Sequence, residues 1–249
     1  MPFRGILAAL ALAAVAVAAG PQPARAGDIT PAQRNEIDAI IHDYLMKNPQ
    51  VLIDAIKAAE DKLTKDADIK ASQAVSAHRQ EVFNDPQTPI AGNPKGDVAI
   101  VEFFDYRCPY CKKVEPELEA LLKQDPKLRL VLKEFPILGP VSVTASHAAL
   151  AAQRQGKYDA FHDAMMTARG NITDDTVYQV ARSVGLDVDK LKRDMASPEV
   201  QDTVKKNMSL ADALDVHGTP AFIIGDRVVP GAIDLPELKK YVAEARNSK

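Results

Sequence analysis

Residues 98–111 read Val98-Ala99-Ile100-Val101-Glu102-Phe103-Phe104-Asp105-Tyr106-Arg107-Cys108-Pro109-Tyr110-Cys111, and their order decides the fold. The run 98–104 is short, apolar and rich in β-branched and aromatic residues, which predicts a strand. Residues 109–123 predict a helix with proline at its first position, and 128–135 a second strand. The three make a β-α-β unit with a right-handed crossover. Cys108 then falls at the helix N-terminus, where unpaired amides and the macrodipole stabilise a thiolate, and Cys111 lies one turn along. A thiolate that attacks a disulfide and a second thiol that resolves the mixed disulfide are the parts thiol–disulfide exchange needs. Two other uses are weaker. A static disulfide would close a four-residue ring and constrain little of the unfolded chain, and structural zinc takes four ligands where only two cysteines exist. Cu(I) held by the two soft thiolates stays open as a side activity.

Working outward, residues 143–156, 158–168, 174–184 and 198–213 have helical periodicity. Residues 221–224 and 227–229 then read as strands joined at Gly225-Asp226, and 235–246 as a closing helix. Between the last of the four helices and the hairpin stands Gly218-Thr219-Pro220-Ala221-Phe222. A proline opening a strand there predicts a cis Thr219–Pro220 bond and leaves Thr219 with free backbone groups for an extended substrate segment. Glu102, six residues before Cys108 in the apolar strand, is either a buried carboxyl with a raised pKa that relays a proton to the resolving thiol, or a surface residue of an edge strand. His217 is as readily a loop histidine as a partner of the thiols. Lys112 and Lys113 read as the solvated side of the helix, and His42, His78, His147 and His162 show no ligand spacing.

Toward the N-terminus, 84–97 carries Pro86, Pro89, Gly92, Pro94 and Gly96, so regular structure is expected to stop there and a linker to begin. Residues 30–82 read as helix, with Thr30, Pro31 and Gln33 as a start signal and a break at Asn48-Pro49. Ile37, Ile40, Ile41, Tyr44 and Leu45 form one apolar face, and Leu52, Ile56, Ala59 and Leu63 a thin heptad-like seam. Such an arm either lies back on its own chain or packs against a second copy, and the polar character of 57–80 favours self-association. At the start, Arg4, the apolar run 6–19 and Ala24-Arg25-Ala26 read as a secretory signal cleaved after Ala26. The run is too short for a membrane helix. Cleavage takes the formal charge from −3 to −5 by removing Arg4 and Arg25. The mature chain is then expected in a periplasm, where disulfides persist. At 249 residues, 46% hydrophobic and 26% charged, the composition is that of a globular protein, and the balance of charge argues against nucleic acid as a partner.

The run Val101 to Arg107 leading into Cys108-Pro109-Tyr110-Cys111, a helical stretch and then Gly218-Thr219-Pro220 resembles the DsbA family of exported thiol–disulfide oxidoreductases. Within it the likeness is to the suppressor-of-copper-sensitivity protein C type and the similar Com1-like proteins, which carry a helical N-terminal extension. The resemblance implies an α/β thioredoxin fold with a helical insertion at about 141–213 in a catalytic domain 98–249. Ahead of it would come an all-helical arm 27–83 and the linker 84–97. It implies Cys108 as nucleophile, Cys111 as resolving thiol, Glu102 as buried acid, and Pro109, Tyr110, Thr219 and Pro220 as substrate-binding residues. It implies no cofactor beyond the redox-active Cys108–Cys111 disulfide. The partners it implies are unfolded or misoxidised exported proteins, a membrane redox partner that recycles the thiols, and copies of the chain itself, a trimer rather than a dimer. Tyr110 stands where DsbA has histidine and Thr219 where it has valine; both positions tune how oxidising the pair is. A disulfide isomerase assembled by its arm, a monomeric dithiol oxidase, a Cu(I)-binding copper-tolerance protein and a chaperone that does not use its thiols are the readings that follow.

Overall fold

The described residues begin with helices because polar side chains at their start satisfy backbone amides that nothing else would. In the computed structural model, which describes residues 29–248, Gln33 N donates to the Thr30 hydroxyl at 3.3 Å and Thr30 N to the Gln33 side chain at 3.0 Å. This capping box and Pro31 at the first turn start α1 (Pro31–Lys47). Asn48 ends it and Pro49 opens α2 (Pro49–Ala77), followed by the single-turn α3 (Arg79–Asn84). The expected signal segment 1–26 lies outside the described residues. Among those residues, no helix is long and apolar enough to cross a membrane.

After α3 come β1 (Ile90–Gly92), β2 (Val98–Phe104), α4 (Pro109–Gln124) and β3 (Leu128–Glu134). Five helices follow: α5 (Pro140–Gln153), α6 (Tyr158–Thr167), α7 (Asp174–Ser183), α8 (Val188–Met195) and α9 (Pro198–Ala213). The chain closes with the hairpin β4 (Ala221–Ile224) and β5 (Arg227–Pro230) and with α10 (Leu235–Asn247). The sheet order is β1-β3-β2-β4-β5, with β2 parallel to β3 and every other pair antiparallel. This is the α/β thioredoxin fold, with α5 to α9 inserted between its β-α-β and β-β-α halves and helices ahead of it.

Two expectations are corrected here. Residues 84–97 are not free of regular structure: β1 lies within them and pairs with β3, Ile90 opposite Val131. The turns that proline and glycine impose leave room for three residues of edge strand, where few ladder donors are needed. Nor do the chain's contacts divide there. They divide between Ala59 and Glu60, inside α2, so that Val75, Val82 and Phe83 belong to the unit of the sheet, packed with Val101, Phe103 and Val131. Helix α8 was not read from the sequence; its eight residues bury only Leu191 fully, too short a pattern to display a period.

Alternation along β2 and β3 sorts the core into two layers. Ile100, Phe104, Leu130 and Leu132 face α4 and the inserted helices, whereas Val101, Phe103 and Val131 face the opposite side. Glu102 falls on the first face, in the middle of the sheet, paired with Leu132 on one flank and Phe222 on the other. A central strand covered on both faces leaves it no solvent, and it is 0% exposed; the edge-strand alternative does not hold.

Candidate active site

The turn between β2 and α4 is built by Asp105. Its buried carboxylate accepts from Arg107 N at 2.8 Å, the Ser142 hydroxyl at 2.8 Å and Leu138 N at 3.0 Å, which ties the turn to the segment leading into α5. The Arg107 guanidinium donates to the Leu138 carbonyl of the same segment. Cys108 N donates to Asp105 O at 2.9 Å, and Cys108 becomes the N-cap residue of α4, with Pro109 at the next position. Both cysteines are free thiols and buried, whereas the Tyr110 side chain between them is 61% exposed. That combination presents an apolar ring to solvent beside a sulfur recessed in the surface.

The turn 218–220 meets this helix end. The Thr219–Pro220 peptide is cis, Pro220 O accepts from Gly231 N at 2.8 Å, and the Thr219 carbonyl accepts from Cys108 Sγ at 3.2 Å. Residues 111 positions apart in the chain are thus in direct contact at the thiol. Cys108 has its thiol pulled down to about 5 from an ordinary 9.0, first by the hydrogen bond from Cys111 and then, against the cost of burial, by the Thr219 side chain and the α4 amides of Cys111 and Tyr110. The Thr219 carbonyl acts the other way, since it accepts only from the neutral thiol. Cys111 is displaced upward, by the hydrogen bond it gives to Cys108, by burial and by Glu102. One proton is shared between two sulfurs, and it stays on the inner one.

Glu102 lies beneath. Neither carboxyl oxygen has a hydrogen-bond partner within the described residues, and burial, then Glu115, Cys108 and Glu134, push its carboxyl well above the usual carboxylate range. A carboxyl in this state takes up a proton more readily than an exposed one and exchanges it with a neighbour whose own proton is mobile.

The structure therefore brings Cys108, Cys111, Glu102, Thr219 and Pro220 into one site, with Pro109 and Tyr110 on its rim. It does not bring His217 there: that ring is exposed and contacts Asp215 at 2.8 Å. Lys112 is not on a solvated face. Its ammonium donates to the carbonyls of Met165 (2.6 Å), Met166 (3.2 Å) and Ala168 (3.0 Å), where α6 ends and its dipole is negative. Sequence reasoning missed Asp105, Tyr106, Glu134 and His162. The only available signal was position, since Asp105 and Tyr106 stand inside the run before Cys108 and Glu134 ends an otherwise apolar strand.

Comparison with known proteins agrees with this geometry. The description "DSBA-like thioredoxin domain" matches residues 99–243, and "Copper resistance protein ScsC N-terminal domain" matches 33–63. The chain is 30% identical over 168 residues to the thiol:disulfide interchange protein DsbA of Bordetella parapertussis, a match covering 66% of this chain and 78% of that one. A thioredoxin-like oxidoreductase from Silicibacter pomeroyi DSS-3 superposes with a TM-score of 0.68 at 47% identity, covering 69% of this chain and 99% of that one. Proteus mirabilis ScsC in a transitional conformation superposes with a TM-score of 0.67 at 29% identity, covering 88% and 100%. The chain also matches sodium/proton antiporters named NhaA from Salinispora at 27–28% identity, spanning 24% of their length. A reduced Cys-Pro-Tyr-Cys at a helix start, faced by a threonine–proline turn and backed by a buried glutamate, stands within the matched span. The chain belongs to the DSBA-like thioredoxin domain family, in the ScsC type that carries the ScsC N-terminal domain.

Proposed function

We propose that this protein is an exported enzyme of thiol–disulfide exchange acting on protein disulfides, and that it works as an isomerase assembled through its N-terminal arm. The observation that carries exchange is the split between the thiols, Cys108 near 5 and Cys111 held protonated. Cys108 thiolate attacks a substrate disulfide and forms a mixed disulfide while the substrate's other sulfur leaves. A substrate thiol then returns to the mixed disulfide to complete isomerisation, or Cys111 attacks Cys108 and releases reduced substrate. An extended substrate segment would lie along Thr219, with Tyr110 supplying apolar contact.

Assembly is supported by α1, which buries no side chain. Ile37, Ile40, Ile41 and Tyr44 are each 43–61% exposed, more apolar surface than an isolated helix keeps in water. The occupant proposed is a second copy of the same arm, in a trimer rather than a dimer. Periplasmic location, protein clients and a membrane reductase that keeps the thiols reduced complete the reading.

A second reading has an observation of its own. A thiol lowered to about 5 stabilises the reduced state and makes the disulfide oxidising, which suits a monomeric dithiol oxidase recycled by an oxidant. The deciding experiment gives the fully reduced chain a scrambled-disulfide protein and follows the return of that protein's activity. Reactivation without net oxidation is expected; substrate left scrambled, together with rapid oxidation of a reduced substrate by the disulfide form, would establish the oxidase instead.

A further inference from the structure

Outside the dithiol, a second assembly of buried ionisable groups stands on the same face of the sheet, and the sheet register places it beside Glu102. Glu102 pairs with Leu132 and Phe104 with Glu134, so the carboxyls of Glu102 and Glu134 are diagonal neighbours on the α4 side. Strands ~4.8 Å apart with ~3.3 Å rise per residue put the two Cα atoms about 8 Å apart. Glu134 is fully buried. Its Oε1 accepts from the Tyr106 hydroxyl at 3.0 Å and the Tyr158 hydroxyl at 2.9 Å. The Tyr106 hydroxyl also meets His162 Nδ1 at 3.1 Å, and His162 Nε2 lies 3.6 Å from Glu115 Oε1.

Counting protons fixes how this network works. Each tyrosine has one hydroxyl proton, and with both directed to Glu134 the Tyr106 oxygen is left to accept from His162 Nδ1–H. Glu134 Oε1 is thus satisfied as a carboxylate oxygen by two neutral hydroxyls, while Oε2 has no hydrogen-bond partner among the described residues. Facing it are Glu102 from β2, Tyr106 from the following turn, Glu115 from α4, and Tyr158 and His162 from α6; α5 offers only Ser146. From α9, neutral Asn207 donates to the Glu134 carbonyl at 3.1 Å. Burial pushes the Glu134 carboxyl up to about 7, against the pull of its hydrogen bonds and His162, so its charge changes within the range in which exchange proceeds.

We propose that Glu134 is a positioning residue for disulfide exchange, its charge setting how strongly Glu102 holds the proton of Cys111. The proposal rests on the exchange reading above. In the step concerned, Cys111 gives its S–H proton to a Glu102 carboxylate oxygen and its sulfur attacks Cys108 Sγ. The Cys108–Cys111 bond forms as the bond from Cys108 to the substrate sulfur breaks, and that sulfur leaves as thiolate. The enzyme dithiol is oxidised and the substrate disulfide reduced. A second negative charge on the neighbouring strand in the interior raises the proton affinity of Glu102 and makes it the stronger base.

The test uses the reduced full chain with carbon-13 in its glutamate carboxyls, so that NMR reads each titration without reference to activity. Glu134→Gln keeps an oxygen for both tyrosines and removes the charge. The Glu102 midpoint is expected to fall by about one pH unit, and the acid limb of the mixed-disulfide resolution rate to move with it. Tyr158→Phe keeps the carboxyl but removes a donor that favours its charge, and is expected to move the Glu134 titration upward and the second inflection of Glu102 with it; a merely structural role for Glu134 would leave the Glu102 curve unmoved in both variants. In the unsubstituted chain the Glu102 curve is expected to show a second inflection where Glu134 titrates, a reading that needs no variant to fold. An unmoved Glu102 midpoint in Glu134→Gln, or a single-phase Glu102 curve in the parent, overturns the proposal. Active exchange with uncoupled titration removes the role of Glu134 alone, whereas a parent inert in exchange removes the exchange reading and this role with it.

Discussion

At the scale of single residues, the reactivity of the site follows from the direction of one hydrogen bond. Cys111 donates and Cys108 accepts, because only Cys108 also has helix amides and the Thr219 side chain to hold a negative sulfur. Alkylation of the reduced chain by iodoacetamide is accordingly expected to modify Cys108 first, with a pH midpoint near 5. Thr219→Val removes a hydroxyl worth about 1 kcal/mol and is expected to raise that midpoint by somewhat under one unit; a midpoint that stays or falls would mean the hydroxyl gives the thiolate nothing. The same displacement has a sign for stability. The unfolded thiol titrates at 9.0 and the folded one at about 5, so the unfolded chain binds more protons between those values. The contribution of Cys108 to the stability of the reduced form is therefore full above about 9 and lost as pH falls through 5.

At the scale of elements, two lysines act as pins. Lys112 closes the C-terminal end of α6 against the helix that carries the cysteines. Lys133, on the opposite face of the sheet and 1% exposed, donates to Glu81 O at 2.8 Å and the Thr88 hydroxyl at 2.7 Å and lies 3.6 Å from Asp85. It thereby fastens α3 and the turn before β1 onto β3. Lys133→Met keeps the volume but strands three acceptors, and is expected to cost about 2–4 kcal/mol in urea unfolding at pH 7. Burial lowers the Lys133 amine to about 8 from 10.5, with Asp85 opposing. The unfolded chain binds more protons between those values, so the parent should gain stability relative to the variant as pH rises from about 8 to 10. A gap between the two that stays constant over that range would mean that the amine does not titrate in the fold.

At the scale of the whole molecule, the proposed assembly depends on apolar residues exposed on the helices of the arm. Ile40 and Ile56 are 61% and 58% exposed, and a charge at either costs an isolated helix almost nothing but destroys an apolar contact between copies. Ile40→Glu and Ile56→Glu together are expected to convert an oligomer to monomers in light scattering while the Cys108 alkylation midpoint stays near 5. A parent already monomeric at working concentration would leave the arm without this role.

What the sequence determined by itself was local. The strand before Cys108 was legible because its apolar, β-branched run carries its own pattern, although its ladder partners lie in β3 and β4. The capping box at Thr30 and Gln33, the break at Asn48-Pro49 and the helix opened by Pro109 were legible because each backbone group there finds its partner within about four residues. The same reason made the thiol pair and its helix N-terminus readable, and alternation along β2 pointed to a buried Glu102. Tertiary structure alone decided what the chain meets at a distance. Tyr158, Tyr106 and His162 reach the Glu134 assembly through contacts 24, 28 and 56 residues apart, and Lys133 finds partners 45 and 52 residues away. β1 exists only because β3 offers it an edge. A polar side chain in an apolar run announces burial, but which groups will satisfy it depends on packing between elements, and no period in the sequence encodes that.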